Sequence, residues 1–468
     1  MALALRVESD SLGEVRVPQD AYYGAQTQRA VDNFAISGLR PYPAFVRATA
    51  WVKLAAVRAN LALGCLPAEL AGAIEQAAVE VVEGRWDRQF VVDPFQAGAG
   101  TSHNMNANEV IANRANELLG GQLGQYHPVH PNDHVNMAQS TNDVIPTAMR
   151  LAGLAMHREL VTVLAECEDA FRLKSIEFEC LVKSGRTHLQ DAVPVTLGQE
   201  FGAYADALGS DLRRLELAAD GLARLGIGGT ATGTGLNAPE GYHESVLREL
   251  ERLTGLQLRS AGNLFEAMQS QADVAAYSAM LRTLALTLTR IANDVRLLAS
   301  GPMTGLAEIK LPAVQPGSSI MPGKVNPVMA EMLNMVCYHV LGNDATVAAC
   351  AQAGQLELNV MTPIMAYNLC QAIDILTNGL RAFTDRCLRG IEADEARCRY
   401  WAERSLAIVT ALNPYIGYRR AAEVSHEALR TGRSIADVAL EGGLITAEQL
   451  RQVLDLGRMT EGGLLGKE

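Results

Sequence analysis

The segment PGSSIMPGKVNP, from Pro316 to Pro327, sets two adjacent hydroxyls, an ammonium and a carboxamide on one stretch bounded by glycine and proline. Gly317 and Gly323 tolerate backbone angles that other residues resist, and Pro316 and Pro322 stiffen the two ends. The segment can therefore swing as a unit between open and closed positions. Ser318 and Ser319 bring hydroxyl and N–H donors, Lys324 a positive charge, and Asn326 both a donor and an acceptor. Such a set suits a carboxylate, or a carbanion flanked by one. It is not a phosphate-binding loop: five residues separate Gly317 from Gly323 where that loop has four, and Val325 follows the lysine where Ser or Thr belongs. Taken alone, the string is equally a Gly/Pro surface loop with a solvated lysine.

Three other polar strings interrupt an alanine-rich, apolar chain: AGAGTSHNMN from Ala97, QSTND from Gln139 and GRTHLQDAVP from Gly185. Thr101 and Ser102 follow Gly98 and Gly100, which let backbone approach a ligand closely. A helix is expected to begin near Ser102, and its first N–H groups and dipole favour anions. Ser140, Thr141 and Asn142 repeat the arrangement before a further helix, although ordinary N-capping accounts for both strings as well. Thr187 and His188 sit in a polar break before a helix expected near Pro194; a lone histidine is often only a structural hydrogen-bonder.

Together with GSSIMPGKVNP, these strings resemble the fumarase/aspartase superfamily, in the branch of class II fumarases and aspartate ammonia-lyases, from about Val7 to about Leu454. The resemblance implies an all-α, three-domain fold whose long central five-helix bundle packs into a homotetrameric helical core. It implies a small dicarboxylate substrate, no metal or organic cofactor, and active sites composed from three subunits. Ser318 would be the general base, held as an oxyanion by loop N–H groups and Lys324. His188 would contact substrate and pair with Glu331. Thr101, Ser102, Ser140, Thr141, Asn142, Thr187, Ser319 and Asn326 would bind substrate. The chemistry explains the need for so many donors: a proton on Cβ is barely acidic until the neighbouring carboxylate takes up the charge as an aci dianion. HPNDHVN from His130 is similar to a string around an accessory anion site and is read as structural or accessory.

Within that branch, AGAGTSHNMN, QSTND, GQLELNVM from Gly354 and DAYYG from Asp20 side with the ammonia-lyases, so deamination of L-aspartate to fumarate is the expected reaction. His188 sides with the fumarases and only some aspartases, which keeps class II fumarate hydratase as the alternative. A non-catalytic structural oligomer is a third reading, opposed by the presence together of Ser318, Lys324, His188 and Thr101. Thr362 departs from an acidic residue common in aspartases, and Met303 stands where both groups usually carry arginine.

The elements that must position these residues are helices. Aromatic residues make up 5% of the chain against a hydrophobic fraction of 49%, which favours helix over sheet. Three regions are expected: an α-rich domain over 1–140, a helical bundle over 141–395 and a small domain over 396–468. Helices are expected over 45–63 and 68–83, and long ones over 155–183, 195–224, 270–299, 327–349 and 362–389. The stretch 270–298 would be about 45 Å long and is apolar on more than one stripe, so it needs neighbours on several faces. In the last region, SIADVALEGGLITAEQL carries helix, glycine-stop and Thr N-cap signals in order.

A net charge of −12 argues against nucleic acid as a partner. The opening MALALRVESDSLG lacks the apolar core of a secretory signal, no unbroken apolar run reaches membrane-spanning length, and a cytoplasmic protein is expected. Eight cysteines without metal spacing read as buried, reduced thiols. GIGGTATGTGLN from Gly226 partly mimics a dinucleotide fingerprint, but helical residues precede it and Ala231 replaces the last glycine. It is read as a connection between two long helices.

Overall fold

The computed structural model describes residues 4–466; Met1–Leu3, the start of the segment read above for a secretory core, and residues 467–468 lie outside the described part. The described residues are mostly helical, with four two-stranded ribbons among them between helices. The antiparallel hairpin β1 (Leu5–Asp10) and β2 (Gly13–Pro18) comes first, in register from Leu5 opposite Pro18 to Asp10 opposite Gly13. Then follow α1 (Ala25–Asn33), α2 (Pro43–Ala62), α3 (Ala68–Val82), α4 (Thr101–Leu118) and α5 (Thr141–Glu177). A second hairpin, β3 (Val182–Thr187) and β4 (Gln190–Thr196), leads to α6 (Leu197–Leu222), α7 (Tyr242–Thr254) and α8 (Leu264–Gln269). After these come α9 (Ala272–Leu298), α10 (Val328–Ala351) and α11 (Thr362–Arg386), with shorter helices from Glu395 onward.

Five long helices occur where the apolar periodicity places them, with one large discrepancy. The helix expected just after Ser140–Asn142 and the long one expected from 155 are a single helix, α5, which begins at Thr141. Pro146 and Gly153 are breakers by local propensity, and packing overrides them: a Cβ on Gly153 would stand 3.2 Å from Leu222 and 3.4 Å from Leu369, so a small residue is what lets these helices close up. A second correction concerns GRTHLQDAVP. It forms the β3–β4 hairpin, with Pro194 inside β4 opposite Ser184, and α6 starts only at Leu197.

Contacts divide the chain into two compact units: residues 1–162, 211–285 and 336–377 in one, and 163–210, 286–335 and 378–468 in the other. The cuts fall inside α5, α6, α9, α10 and α11, so each long helix lends residues to both units. In the first unit, Val46, Leu54 and Val57 of α2, Ile74 and Val81 of α3, and Val110 and Ile111 of α4 share one core. Full burial of each such side chain contributes about 1.5–3 kcal/mol. The buried Glu109 carboxylate on α4 accepts from the N–H groups of Gly24 (2.8 Å), Gln26 (2.9 Å) and Thr27 (3.1 Å), capping α1 from a neighbouring helix. In the same unit α5 meets α9 through His157 and Tyr277 (3.0 Å), and α9 meets α10 through Ser278 and Asp344 (2.7 Å).

In the second unit Phe171 of α5 packs against Phe201 of α6 and Phe383 of α11, with ring centroids 5.9 and 6.4 Å apart. Glu308, fully buried, lies 3.2 Å from the Lys183 ammonium and accepts from the Arg186 guanidinium at 3.0 Å. That pairing pins β3 from below. Ile408, Leu412, Val424, Ile435, Leu450 and Val453 form a separate core near the C-terminus. There the helices Ile435–Glu441 and Ala447–Val453 follow their Ser434 and Thr446 caps, the latter a full capping box with Gln449.

Six of the eight cysteines are buried free thiols, but Cys65 and Cys180 are exposed, against the expectation that all would be buried. Both lie where a helix has just ended, outside the apolar stripe that sequence pattern detects. Among the described residues no helix is long and apolar enough to cross a membrane.

Candidate active site

In the first unit, two helix starts carry the predicted hydroxyls. Gly98–Gly100 makes a tight turn in which Ala99 (φ 61°) and Gly100 (φ 84°) are left-handed, and the Ala99 N–H is held by the Val360 carbonyl at 2.8 Å. A Cβ on Gly100 would lie 2.9 Å from Ile145 Cγ1, so only glycine lets the start of α4 approach α5 this closely. Because the N-cap is Gly100, no side chain caps α4. Thr101 and Ser102 stand inside the first turn instead, Thr101 exposed and Ser102 buried. The capping explanation thus fails for this pair. It holds for Ser140, whose Oγ accepts the Asn142 N–H at 3.2 Å, while its own N–H donates to Asp143 at 3.0 Å.

Asn142 donates its amide to the Ala231 carbonyl (2.8 Å), which leaves its Oδ1 as an acceptor. The Asp143 carboxylate takes the N–H groups of Gly228 (3.0 Å) and Thr230 (2.9 Å). The glycine-rich string therefore clamps the start of α5, and it joins α6 to the shorter α7 rather than two long helices. Burial pushes Asp143 up to about 6, opposed by those N–H groups and by the charge of Lys53.

Sequence reasoning missed what stands behind these hydroxyls. Lys53 of α2 is fully buried. It donates to Asn104 Oδ1 (2.7 Å), Asn136 Oδ1 (2.9 Å) and Gln139 Oε1 (2.9 Å), and Asn104 in turn donates to Thr141 Oγ1 at 3.1 Å. The one available signal was a lysine in the middle of the apolar run TAWVKLAAV. Close by, His103 is fully buried, stacked on Phe45 at 4.4 Å, with Nε2 3.0 Å from Thr49 Oγ1. Burial, reinforced by the Lys53 charge, pulls it down to about 3, so this imidazole stays neutral.

In the second unit, the loop holding Ser318 closes on itself. Gly317 N–H donates to the Lys324 carbonyl (2.8 Å), and the Asn326 amide donates to the Gly317 carbonyl (2.7 Å). Lys324 Nζ donates to Asn326 Oδ1. The structure thus brings Lys324 and Asn326 together, but spends Asn326 inside the loop. Ser318 Oγ accepts two backbone N–H groups, from Ile320 at 3.3 Å and Met321 at 3.1 Å. Ser319 and Lys324 are exposed, and Ser318 lines an open hollow of ≈ 460 Å³ together with Met321 and Lys324.

Thr187 and His188 occupy the tip of the β3–β4 hairpin. His188 (φ 56°) and Leu189 (φ 60°) are the two central turn residues, with Thr187 opposite Gln190. Such a turn usually announces itself by Asn-Gly or Asp-Gly, and its absence explains why the sequence read as a simple break. Holding two non-glycine residues left-handed costs roughly 1–2 kcal/mol each, and strain of this kind collects at functional positions. His188 is exposed, and among the described residues its ring forms no bond to Glu331 within the chain. Glu331 lies half-buried in the first turn of α10. Among the described residues no group of three or more His, Cys, Asp or Glu is placed to hold a metal ion.

Residues 13–342 match the Lyase family, and residues 408–461 match the fumarase C C-terminus. The chain belongs to the fumarase/aspartase superfamily of lyases. The aspartate ammonia-lyase of Bacillus subtilis (strain 168) is 49% identical over 463 residues, 99% of this chain and 98% of that relative. A class II fumarate hydratase of Pseudomonas aeruginosa is 47% identical over 459 residues, covering 98% and 99%. Two solved structures share the superfamily fold. A fumarate lyase:delta crystallin from Brucella melitensis has a TM-score of 0.94 at 50% identity, over 98% of this chain and 100% of that one. A class II fumarase from Schistosoma mansoni has a TM-score of 0.95 at 38% identity, over 98% and 99%. Ammonia-lyases and hydratases of this superfamily thus lie at nearly equal distance, and lyase chemistry is what they hold in common.

Proposed function

We propose that this lyase is an aspartate ammonia-lyase that converts L-aspartate reversibly to fumarate and ammonia. The observation that carries the reading is the environment of Ser318 Oγ, which two loop N–H groups already address in the way an alkoxide requires. Ser318 as the oxyanion takes a proton from Cβ, and the C–H electron pair moves into the β-carboxylate as an aci dianion. That pair then forms the Cα–Cβ double bond as the C–N bond breaks, the amine leaving with its electrons and taking up a proton. Thr101, Ser140, Thr141 and Ser319 bind the β-carboxylate, with Ser102 as a further substrate-binding hydroxyl. Thr187, Lys324 and Asn326 hold the α-carboxylate once the loop closes over substrate, Lys324 leaving Asn326 Oδ1 to do so and Asn326 using the amide proton that it does not give to Gly317. Asn142, with its acceptor oxygen free, and His188, oriented by Glu331, receive the ammonium.

The site is composite, in a homotetramer that brings these residues together from three subunits. Support for the tetramer comes from apolar side chains left exposed on the long helices of a single chain: Leu173 62% and Ile176 64% exposed on α5, Leu286 54% on α9, Met335 69% and Tyr338 54% on α10. The three sequence regions, 1–140, 141–395 and 396–468, correspond in this reading to the three domains of the fold.

Incubating the protein separately with L-aspartate and L-malate, and following fumarate by its ultraviolet absorbance, decides the substrate. Ser318→Ala should lower kcat by about 10²–10⁴ with thermal unfolding unchanged; undiminished turnover would reject the base assignment. The second reading, class II fumarate hydratase, is favoured by His188. Rapid conversion of malate with none of aspartate would establish it in place of the first.

A further inference from the structure

Lys53 is a cation placed where a cation is costly. It is wholly removed from water, and among the described residues no carboxylate lies within ion-pair distance. Burial draws its ammonium down to about 7, with Asp143 opposing. Three amide oxygens oppose burial as well, since each of the three ammonium protons meets one, whereas a neutral amine would turn its lone pair on an oxygen. The other titratable groups that feel this charge are Asp143, whose oxygens are occupied by backbone N–H groups, and the neutral His103.

The amides around Lys53 cannot turn over. Gln139 gives its NH2 to the carbonyls of Val135 (3.0 Å) and Met137 (3.2 Å), and Asn136 gives its NH2 to the Gln139 carbonyl (3.3 Å). Asn136 Oδ1 also accepts from Asn104 and Asn108, both at 3.2 Å. Asn104 is therefore locked with its oxygen on Lys53 and its NH2 on Thr141 Oγ1, because the reverse orientation would press NH2 against the ammonium. The Thr141 hydroxyl accepts on its inner side, and its own proton has no acceptor among the described residues.

We propose that Lys53 is a positioning residue for substrate: acting through Asn104, it fixes the Thr141 hydroxyl as an acceptor inward and thereby aims its proton outward at a substrate carboxylate. This rests on the reading of Thr141 as a carboxylate ligand. The two linked bonds polarise each other in a buried setting, so the charge reaches the hydroxyl without touching substrate.

Binding of succinate, an unreactive dicarboxylate, to the full-length protein tests this by calorimetry. Lys53→Met and Thr141→Val should each weaken binding about tenfold, and the double variant should be less than twofold weaker than Thr141→Val alone. Asn104→Asp keeps a partner for Lys53 but replaces the N–H facing Thr141 with an oxygen. It should also weaken binding about tenfold with thermal unfolding unchanged, which a merely structural lysine does not predict. Losses that simply multiply in the double variant, or an Asn104→Asp protein that binds as wild type, overturn the proposal. If Lys53→Met fails to fold, Asn104→Asp decides alone. Wild-type release of fumarate from L-aspartate or L-malate is measured in parallel. Turnover without coupling rejects only the role of Lys53, whereas a wild type that neither binds succinate nor releases fumarate rejects the functional reading as well.

Discussion

Gly317→Ala isolates the contribution of the shape of the Ser318 loop from that of its side chains. An added Cβ would stand 2.4 Å from the Lys324 carbonyl oxygen and 2.8 Å from the Asn326 N, and neither backbone atom can rotate away. The neck of the loop must therefore open. Two hydrogen bonds hold it shut, Gly317 N–H to Lys324 O and Asn326 to Gly317 O. At about 0.5–1.5 kcal/mol each, their loss disfavours the ordered loop by about 1–3 kcal/mol, which is about 5- to 150-fold in the population able to react. None of this surface carries the core, so the thermal midpoint should stay within about a degree. Steady-state kinetics on the better substrate should show kcat/KM reduced by that factor, with Ser318, Lys324 and Asn326 all still present. A variant within twofold of wild type would refute the idea that this closed loop geometry matters to the reaction.

Three further outcomes follow from other parts of the molecule. His103 is held near 3 when folded, below its ordinary 6.5, so its contribution to stability is complete above about pH 6.5 and fades as pH falls toward 3. Linkage gives a loss of about 2 kcal/mol between pH 6.5 and 4.5. Thermal unfolding of wild type should fall more steeply over that window than that of His103→Gln, and parallel slopes would contradict the assignment. Glu308→Ala leaves Arg186 without its buried partner while Lys183 keeps Glu200 at 2.9 Å, which places the loss at about 3 kcal/mol, the low end for breaking a buried pair. Limited proteolysis should then cut the β3–β4 hairpin sooner than in wild type, and equal resistance would show that the carboxylate does not hold it. Leu286→Arg puts a charge on an exposed apolar position of α9; light scattering should find smaller species with turnover lost in proportion, and an intact, active tetramer would argue that this face is solvated.

How far the sequence could be read depended on whether a signal was periodic or singular. Helices α2, α3, α6, α9, α10 and α11 lie within three residues of the expected bounds at either end, because each repeats its apolar stripe over several turns and the burial of that stripe outweighs any single residue. The continuity of α5 across 143–154 was missed because Pro146 and Gly153 are local vetoes, and local vetoes yield where a neighbouring helix gains contact. The hairpin bearing Thr187 and His188 was missed for the converse reason. Its turn conformation is imposed by the register of the two strands it joins, which leaves exposed His188 and Leu189, residues with no preference for it, as the central pair, so composition held no trace.

Candidate site residues were legible as types, since hydroxyls, a lysine and an amide beside glycines have few other uses together. Their hydrogen-bonding state was not. Thr141 and Ser140 are adjacent and chemically alike, and each hydroxyl accepts one N–H and keeps a proton to give, but Ser140 takes its N–H from the nearby backbone of Asn142 whereas Thr141 takes it from Asn104, which the buried lysine 88 residues earlier in the chain holds in place. The distinction arises from long-range contacts between α2, α4 and α5, and no window along the chain contains it. Substrate choice between L-aspartate and L-malate belongs to the same class of question. An ammonium needs acceptors where a hydroxyl tolerates either polarity, so the orientation of the Asn142 amide toward Ala231 bears on the choice more directly than any motif. If that bond decides, Asn142→Asp, which must turn an oxygen on the Ala231 carbonyl or swing away from it, should raise KM for L-aspartate about tenfold or more, and a KM within twofold of wild type would show that the ammonium is read elsewhere.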